Sequence, residues 1–297
     1  VAALAAAGRL RDLAGVGEST AQVITEALAG DVPSYLARLE QDSGPGEHPP
    51  AVDAILQSLR GDLHSHSDWS DGGSPIADMA AAARRLGHEY LALTDHSPRL
   101  SVARGLSPER LRHQLEVVAA LNERLSPFRI LTGIEVDILE DGSLDQDHDV
   151  LASLDVVVAS VHSKLRMEAP AMTRRMVTAV SDPVVDILGH CTGRLVVGRG
   201  RPPSSFDGAE VFGACAAHGT AVEINSRPER LDPPAELLDV AAGAGCLFSI
   251  DTDAHAPGQL TWLFHGAAKA VASGIGPERI VNTAPAGDLL AWTRGHG

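Results

Sequence analysis

GDLHSHSDWSDG, residues 61–72, sets two histidines, His64 and His66, at the end of a short apolar run and follows them with Asp71. On extended backbone, residues two apart share a face, so both imidazoles can reach one ion. The same theme recurs along the chain. Runs rich in Val, Ile and Leu at 90–95, 130–135, 156–162, 184–190, 221–225 and 247–253 each close on an ionisable or amide side chain. Helical stretches at 75–86, 108–125, 171–180, 207–218, 233–244 and 259–272 lie between them. Strand–helix alternation at this spacing argues for a parallel sheet. Seven units predict an α/β fold, a closed or nearly closed barrel.

In such a barrel, functional groups gather where the strands end. Taken in order, these ends carry His64, His66 and Asp71, then Asp95 and His96, then Glu135, His162 and His190. The sixth end carries Glu223 and Asn225, and the seventh Asp253 and His255 in DTDAH, which repeats the two-residue spacing. Buried charges are costly unless they are paired or hold metal. A run of them at successive strand ends therefore predicts a multinuclear metal site. His48, His88, His113, His148, His218, His265 and His296 lack such positions and read as surface or structural groups.

The chain has 297 residues with 44% apolar content, enough for one large domain and a small appendage. Its net charge of −15 does not favour non-specific binding to nucleic acid or an anionic membrane. Cys191, Cys215 and Cys246 are widely spaced, which suggests a reduced protein and a cytoplasmic location. No apolar run reaches the length of a membrane span. Arg9, Arg11 and Asp12 interrupt the alanine-rich start, so it does not read as a signal peptide. Residues 1–41 read as a small helical module, with a Gly15-Val16-Gly17 turn before a helix at 18–28. Residues 42–58 read as a linker (DSGPGEHPP) and a lead-in helix, and 59–297 as the barrel.

The motifs GDLHSHSDWSDG, LALTDHS, GIEVDI, VVASVHS, DILGHCTGR, VEINSRPERLD and SIDTDAHAPGQL resemble those of the PHP (polymerase and histidinol phosphatase) superfamily over about residues 59–292. They are most similar to the PHP domain of bacterial family X DNA polymerases. The resemblance implies a distorted seven-stranded (β/α)7 barrel and three divalent ions, manganese or zinc, with iron also suited to the donor set. It implies a first ion held by His64, His66, Glu135 and Asp253, a second by Glu135, His162 and His190, and a third by Asp71, His96 and His255. The front segment, GRLRDLAGVGESTAQVITEAL, resembles a helix-hairpin-helix, whose turn at 13–19 would make a weak contact to a DNA backbone. Glu18 stands there where lysine is common, and a packing module with no nucleic-acid role is the other reading. Only residues 31–59 separate this segment from the barrel, too few for a polymerase palm, so polymerase activity is not expected.

Adjacent divalent ions lower the pKa of bound water to supply hydroxide and neutralise phosphoryl oxygens as charge develops. The expected activity is therefore metal-dependent phosphoester hydrolysis, with Glu135, His162, Asp253 and His255 at the reacting centre. Arg194, Arg227, Arg230 and Lys164 follow strand ends and are the candidate phosphate contacts. Asp95 is expected to orient a neighbouring ligand. The leading expectation for substrate is a nucleic-acid or nucleotide ester, as in a 3′–5′ exonuclease or 3′-phosphatase acting on a single-stranded DNA end. The alternatives are a small-molecule phosphomonoesterase of the histidinol-phosphate phosphatase type and a non-catalytic, metal-stabilised interaction module.

Overall fold

Among the residues described by the computed structural model (1–13, 16–29 and 48–296), seven strands form one sheet: β1 (Gly61–Asp62), β2 (Tyr90–Leu93), β3 (Arg129–Asp137), β4 (Val156–Ser160), β5 (Ile187–Leu188), β6 (Ala221–Asn225) and β7 (Phe248–Asp251). Each pairs with the next in sequence, and every pairing is parallel. A parallel strand needs a crossover before its neighbour, and the intervening helices supply it. The strands are buried on both faces, as β4 (VVVAS) shows at every position. Alternate side chains serve two cores. Val156 and Val158 meet Leu131, Ile187 and Ala221 inside the barrel, while Val157 and Ala159 pack with Met172, Met176 and Val180 of the helix Ala169–Val180.

The barrel closes only nearly. β1 and β7 share no ladder, and the seam is held by substitutes. Past the strand ends, Ser65 and Ala254 form a parallel bridge in which the His66 N–H donates to the Ala254 carbonyl at 2.8 Å. Lower down, Asp251 accepts the Leu63 N–H at 2.7 Å and Asp62 accepts the Thr252 N–H at 3.2 Å. Asn282, fully buried, donates through its amide nitrogen to Gly61 O at 2.9 Å and Ile250 O at 2.7 Å, and its amide oxygen accepts the Ile250 N–H at 3.1 Å. These side chains satisfy backbone groups that an eighth strand would otherwise pair.

The helices follow the predicted pattern, with shifts at their ends. Pro108–Leu125 is capped by Ser107, which accepts the Arg110 N–H at 3.3 Å. Gly208–His218 is capped by Asp207 and stops at Gly219, whose φ of 75° suits a left-handed helix end. The predicted helix at 259–272 instead begins as a 3-10 turn, Pro257–Trp262, and becomes α-helical at Leu263–Ala272. Pro257 and Gly258 are poor helix formers and account for that start. A short helix between β3 and β4, His148–Leu151, has too little periodicity to be read in advance.

The chain divides into two units, Val1–Pro50 and Ala51–Gly297. In the first, Ala2–Ala6 and Glu18–Ala29 are helical, with a 3-10 turn at Leu10–Asp12 and Leu10 buried. Gly15 of the expected hairpin turn and most of the expected linker lie outside the described residues. The lead-in helix, Pro50–Ser58, buries Val52 and Ile55. No helix among the described residues is long and apolar enough to cross a membrane, and all three cysteines are buried and free.

Candidate metal centre

The strand ends deliver their side chains to one place. His64 and His66 follow β1, His96 follows β2, His162 and His190 lie two residues past β4 and β5, and Asp253 and His255 follow β7. Glu135 differs from expectation, because β3 continues to Asp137 and carries it inside the strand. Glu135 is buried among the histidines, and its two oxygens approach different ones. Its Oε2 lies 2.8 Å from His96 Nδ1, 3.3 Å from His64 Nε2 and 3.5 Å from His66 Nε2. Its Oε1 lies 2.7 Å from His190 Nε2 and 3.1 Å from His162 Nε2. None of these buried atoms makes an aligned hydrogen bond. Close donor atoms without hydrogen-bond alignment, aimed at shared points, fit the donor set of a metal cluster.

Ligand atoms cluster in four overlapping groups: His66, Asp71, His96 and His255; His64, His66 and Asp253; His64, Glu135 and His190; and His96, Glu135 and His162. Within each group the atoms lie within 4.8 Å of one another. The set expected for a third ion, Asp71, His96 and His255, is gathered in the first group with His66 added. His162 and His190 meet on Glu135 Oε1. The overlap at His64, His66, His96 and Glu135 suits several ions held close together, and the mixed nitrogen and oxygen donors suit manganese, zinc or iron.

Coordination needs neutral imidazole and ionised carboxylate, a state that His66, Glu135 and Asp253 already hold. His64, His96 and His162, by contrast, are raised against burial by neighbouring carboxylates and would release a proton on binding an ion. Burial, together with His255 and His96, pushes His66 down to about 3, so it is neutral at pH 7. Burial would raise Glu135, but His162, His96, His64 and His190 hold it well below the usual carboxylate range. Asp253 is likewise held low against burial, by His66 and Arg230. Burial opposes charge on His64, yet Glu223 and Glu135 on either side raise it well above the ordinary histidine value.

Neighbouring groups orient these ligands. Glu223 accepts from His64 Nδ1 at 2.6 Å and from the His190 N–H. The first bond leaves His64 Nε2 free for an ion. His255 Nδ1 lies 2.8 Å from the Asp253 carbonyl, so its Nε2 faces Asp71 at 3.4 Å. Asp253 has a φ of 52°, a strained backbone for a non-glycine residue, and Arg230 Nε holds its Oδ2 at 3.0 Å. Glu223 stood among the strand-end groups of the sequence without an assigned role. Its spacing to Asn225, two residues on in the same strand, is the signal that could have joined both to the site.

Asp95 acts on a neighbouring ligand through a loop. Its oxygens accept from the Ser67 N–H at 2.8 Å, Ser67 Oγ at 2.7 Å, Ser70 Oγ and Gln114 Nε2 at 2.6 Å. It therefore anchors the loop that presents Asp71 and orients no histidine directly. Gly72 lets that loop fold tightly, since a Cβ there would lie 2.6 Å from Ser67 O.

Of the four cationic candidates, two reach the centre. Arg227 and Arg230 line a cleft of about 450 Å³ together with Asp71, His96, His162, Asp253 and His255. Arg230 Nη1 is buried and has no partner. Arg194 turns away, donating to the carbonyls of Arg230 and Leu231. Lys164 has an exposed side chain 3.9 Å from Glu140. Both follow strand ends, but their loops carry them outward.

Known proteins share this sequence pattern and fold. The family model for the PHP domain matches residues 62–227. The chain is 45% identical over 200 residues to the DNA polymerase/3'-5' exonuclease PolX of Bacillus subtilis, covering 67% of this chain but only 35% of that protein. It is 30% identical over 231 residues to a probable phosphatase of Syntrophotalea carbinolica, covering 74% of this chain and 90% of that one. Among solved structures, histidinol phosphate phosphatase from Lactococcus lactis, complexed with zinc, L-histidinol and phosphate, shares the fold at a TM-score of 0.50 and 20% identity, over 73% of this chain and 94% of that one.

Proposed function

The chain belongs to the PHP domain family, and from that premise we propose that it is a metal-dependent phosphomonoesterase acting on a small phosphorylated molecule. Its metal-binding, phosphatase-like fold is consistent with metal-dependent phosphoester hydrolysis. The observation that carries the reading is the convergence of nine ligand side chains, five of which line one cleft of about 450 Å³ together with two arginines. That volume suits a small ligand. The relative matched over 90% of its own length is a probable phosphatase, which supports the same reading.

His64, His66, Asp71, His96, Glu135, His162, His190, Asp253 and His255 would hold the ions. Bound there, the ions would supply Lewis acidity and an activated water. The protein's own residues do the rest. Arg230 and Arg227 receive the phosphoryl oxygens, and Arg230 keeps Asp253 ionised while doing so. Glu135 holds both halves of the cluster in one frame. In the overall reaction the phosphorus–oxygen bond to the leaving alcohol breaks, and water oxygen forms the new bond to phosphorus. One proton of that water ends on the alcohol.

A second reading, a 3′–5′ exonuclease or 3′-phosphatase on a single-stranded DNA end, is supported by the 45% identity to the Bacillus protein. This chain spans about a third of that protein's length, and its net charge of −15 does not draw a polyanion. The test is manganese-dependent turnover of a panel of small monoesters beside a 5′-labelled single-stranded oligonucleotide, with His66→Ala as the contamination control. Phosphate release from monoesters with the oligonucleotide intact supports the first reading. Stepwise shortening of the oligonucleotide, lost in the variant, replaces it with the second.

A further inference from the structure

The cleft has two chemistries. Five metal-ligand side chains line it with Arg227, Glu229 and Arg230, and Leu100, Leu195, Val197 and Gly198 supply an apolar wall. We infer that this wall receives the leaving group, so that the preferred substrates are phosphomonoesters of apolar or aromatic alcohols. The inference rests on the phosphomonoesterase reading and names its substrate class.

The wall is a built feature. Leu195 and Arg201 pair in an antiparallel bridge, with N–H···O bonds of 2.9 and 2.8 Å, and so form a small tongue. Gly198 and Gly200, at φ of 69° and 64°, make its tip. The Val196 N–H donates to the Glu229 carbonyl at 2.7 Å, which ties the tongue to the segment that bears Arg227 and Arg230. Val197 is nonetheless 58% exposed, and Leu195 is half-buried. An apolar side chain left open to water beside a cluster of charges gains by covering with an apolar group. A phosphate drawn to the arginines and the metal cluster would leave its ester substituent against this wall. Leu100 approaches from the loop after β2, so the substituent meets apolar atoms from two segments.

The experiment compares phenyl phosphate with glycerol 2-phosphate, each with manganese, in the wild type and in Val197→Asn and Leu195→Asn. The ratio of kcat/KM for the two substrates is read in each protein, so intrinsic leaving-group reactivity cancels between wild type and variant. The expected result is a fall in that ratio of about 5- to 10-fold, carried mainly by KM for phenyl phosphate. Val197 is exposed, so its variant keeps the test valid if Leu195→Asn does not fold. A ratio unchanged within about twofold, with both esters turned over, overturns the inference and leaves the phosphomonoesterase reading standing. If the wild type hydrolyses neither ester nor any other small monoester, that reading falls and the inference falls with it.

Discussion

Glu223 Oε1 lies 2.6 Å from His64 Nδ1, with both side chains fully buried and 159 residues apart in sequence. A carboxylate behind an imidazole fixes the tautomer and raises the basicity of the far nitrogen. Glu223→Gln keeps the shape and removes the charge. Manganese affinity is expected to fall about 10- to 100-fold, read by titration of chelator-treated protein. Unchanged affinity would reduce Glu223 to a packing residue.

Arg230 is expected to be sensitive even to lysine. Its Nε is committed to Asp253 at 3.0 Å while Nη1 remains without a partner. A lysine has one nitrogen for two tasks. Arg230→Lys should lower kcat/KM for a phosphomonoester by about 10- to 100-fold, on the order of the loss of a charge-assisted bond. Steady-state kinetics at saturating manganese checks this, and a change under about twofold would remove Arg230 from the phosphate site.

The barrel seam should be a weak point with one main fastener. Asn282→Ala strands the carbonyls of Gly61 and Ile250 and the Ile250 N–H. Buried groups left unpaired cost about 1–3 kcal/mol each, so a loss on the order of 3 kcal/mol is expected in denaturant unfolding. Stability within about 0.5 kcal/mol of the wild type would show that the seam is held elsewhere.

His88 provides a pH prediction away from the metal cluster. Burial alone pushes it down from 6.5 to about 4. Between those values the unfolded chain binds a proton that the folded chain does not, so unfolding takes up a proton and stability falls as pH drops. Above 6.5 both forms are neutral and the effect is absent. His88→Gln should therefore lose less melting temperature between pH 7 and pH 4.5 than the wild type. Equal losses would show that His88 titrates normally in the folded state.

The seven-unit barrel and the gathering of ligands were legible because both depend on local pattern. A short buried strand needs little sequence to declare itself, and a histidine just past its end has few places to point. What depends on distant partners was not legible. Asn282 closes the seam against Gly61, 221 residues away, from a 3-10 turn with no periodicity of its own. Arg194 and Lys164 occupy strand-end loops much as Arg227 does, and only the course of each loop decides which side chains reach the cleft. Asp95 shows the same limit. Its place beside His96 suggested a ligand-orienting role, but only the fold reveals that it acts through Ser67 and Ser70 of the loop carrying Asp71, and through Gln114.

The most direct test of the central claim is the number of manganese ions bound per chain, counted by mass spectrometry after loading and removal of free metal, in the wild type and in Glu135→Ala. Two oxygens of Glu135 face separate sets of histidines. The account predicts more than one ion in the wild type, up to three, and a loss of at least two when Glu135 is removed. One ion or none in the wild type, or an undiminished count in Glu135→Ala, would contradict a cluster built around this carboxylate.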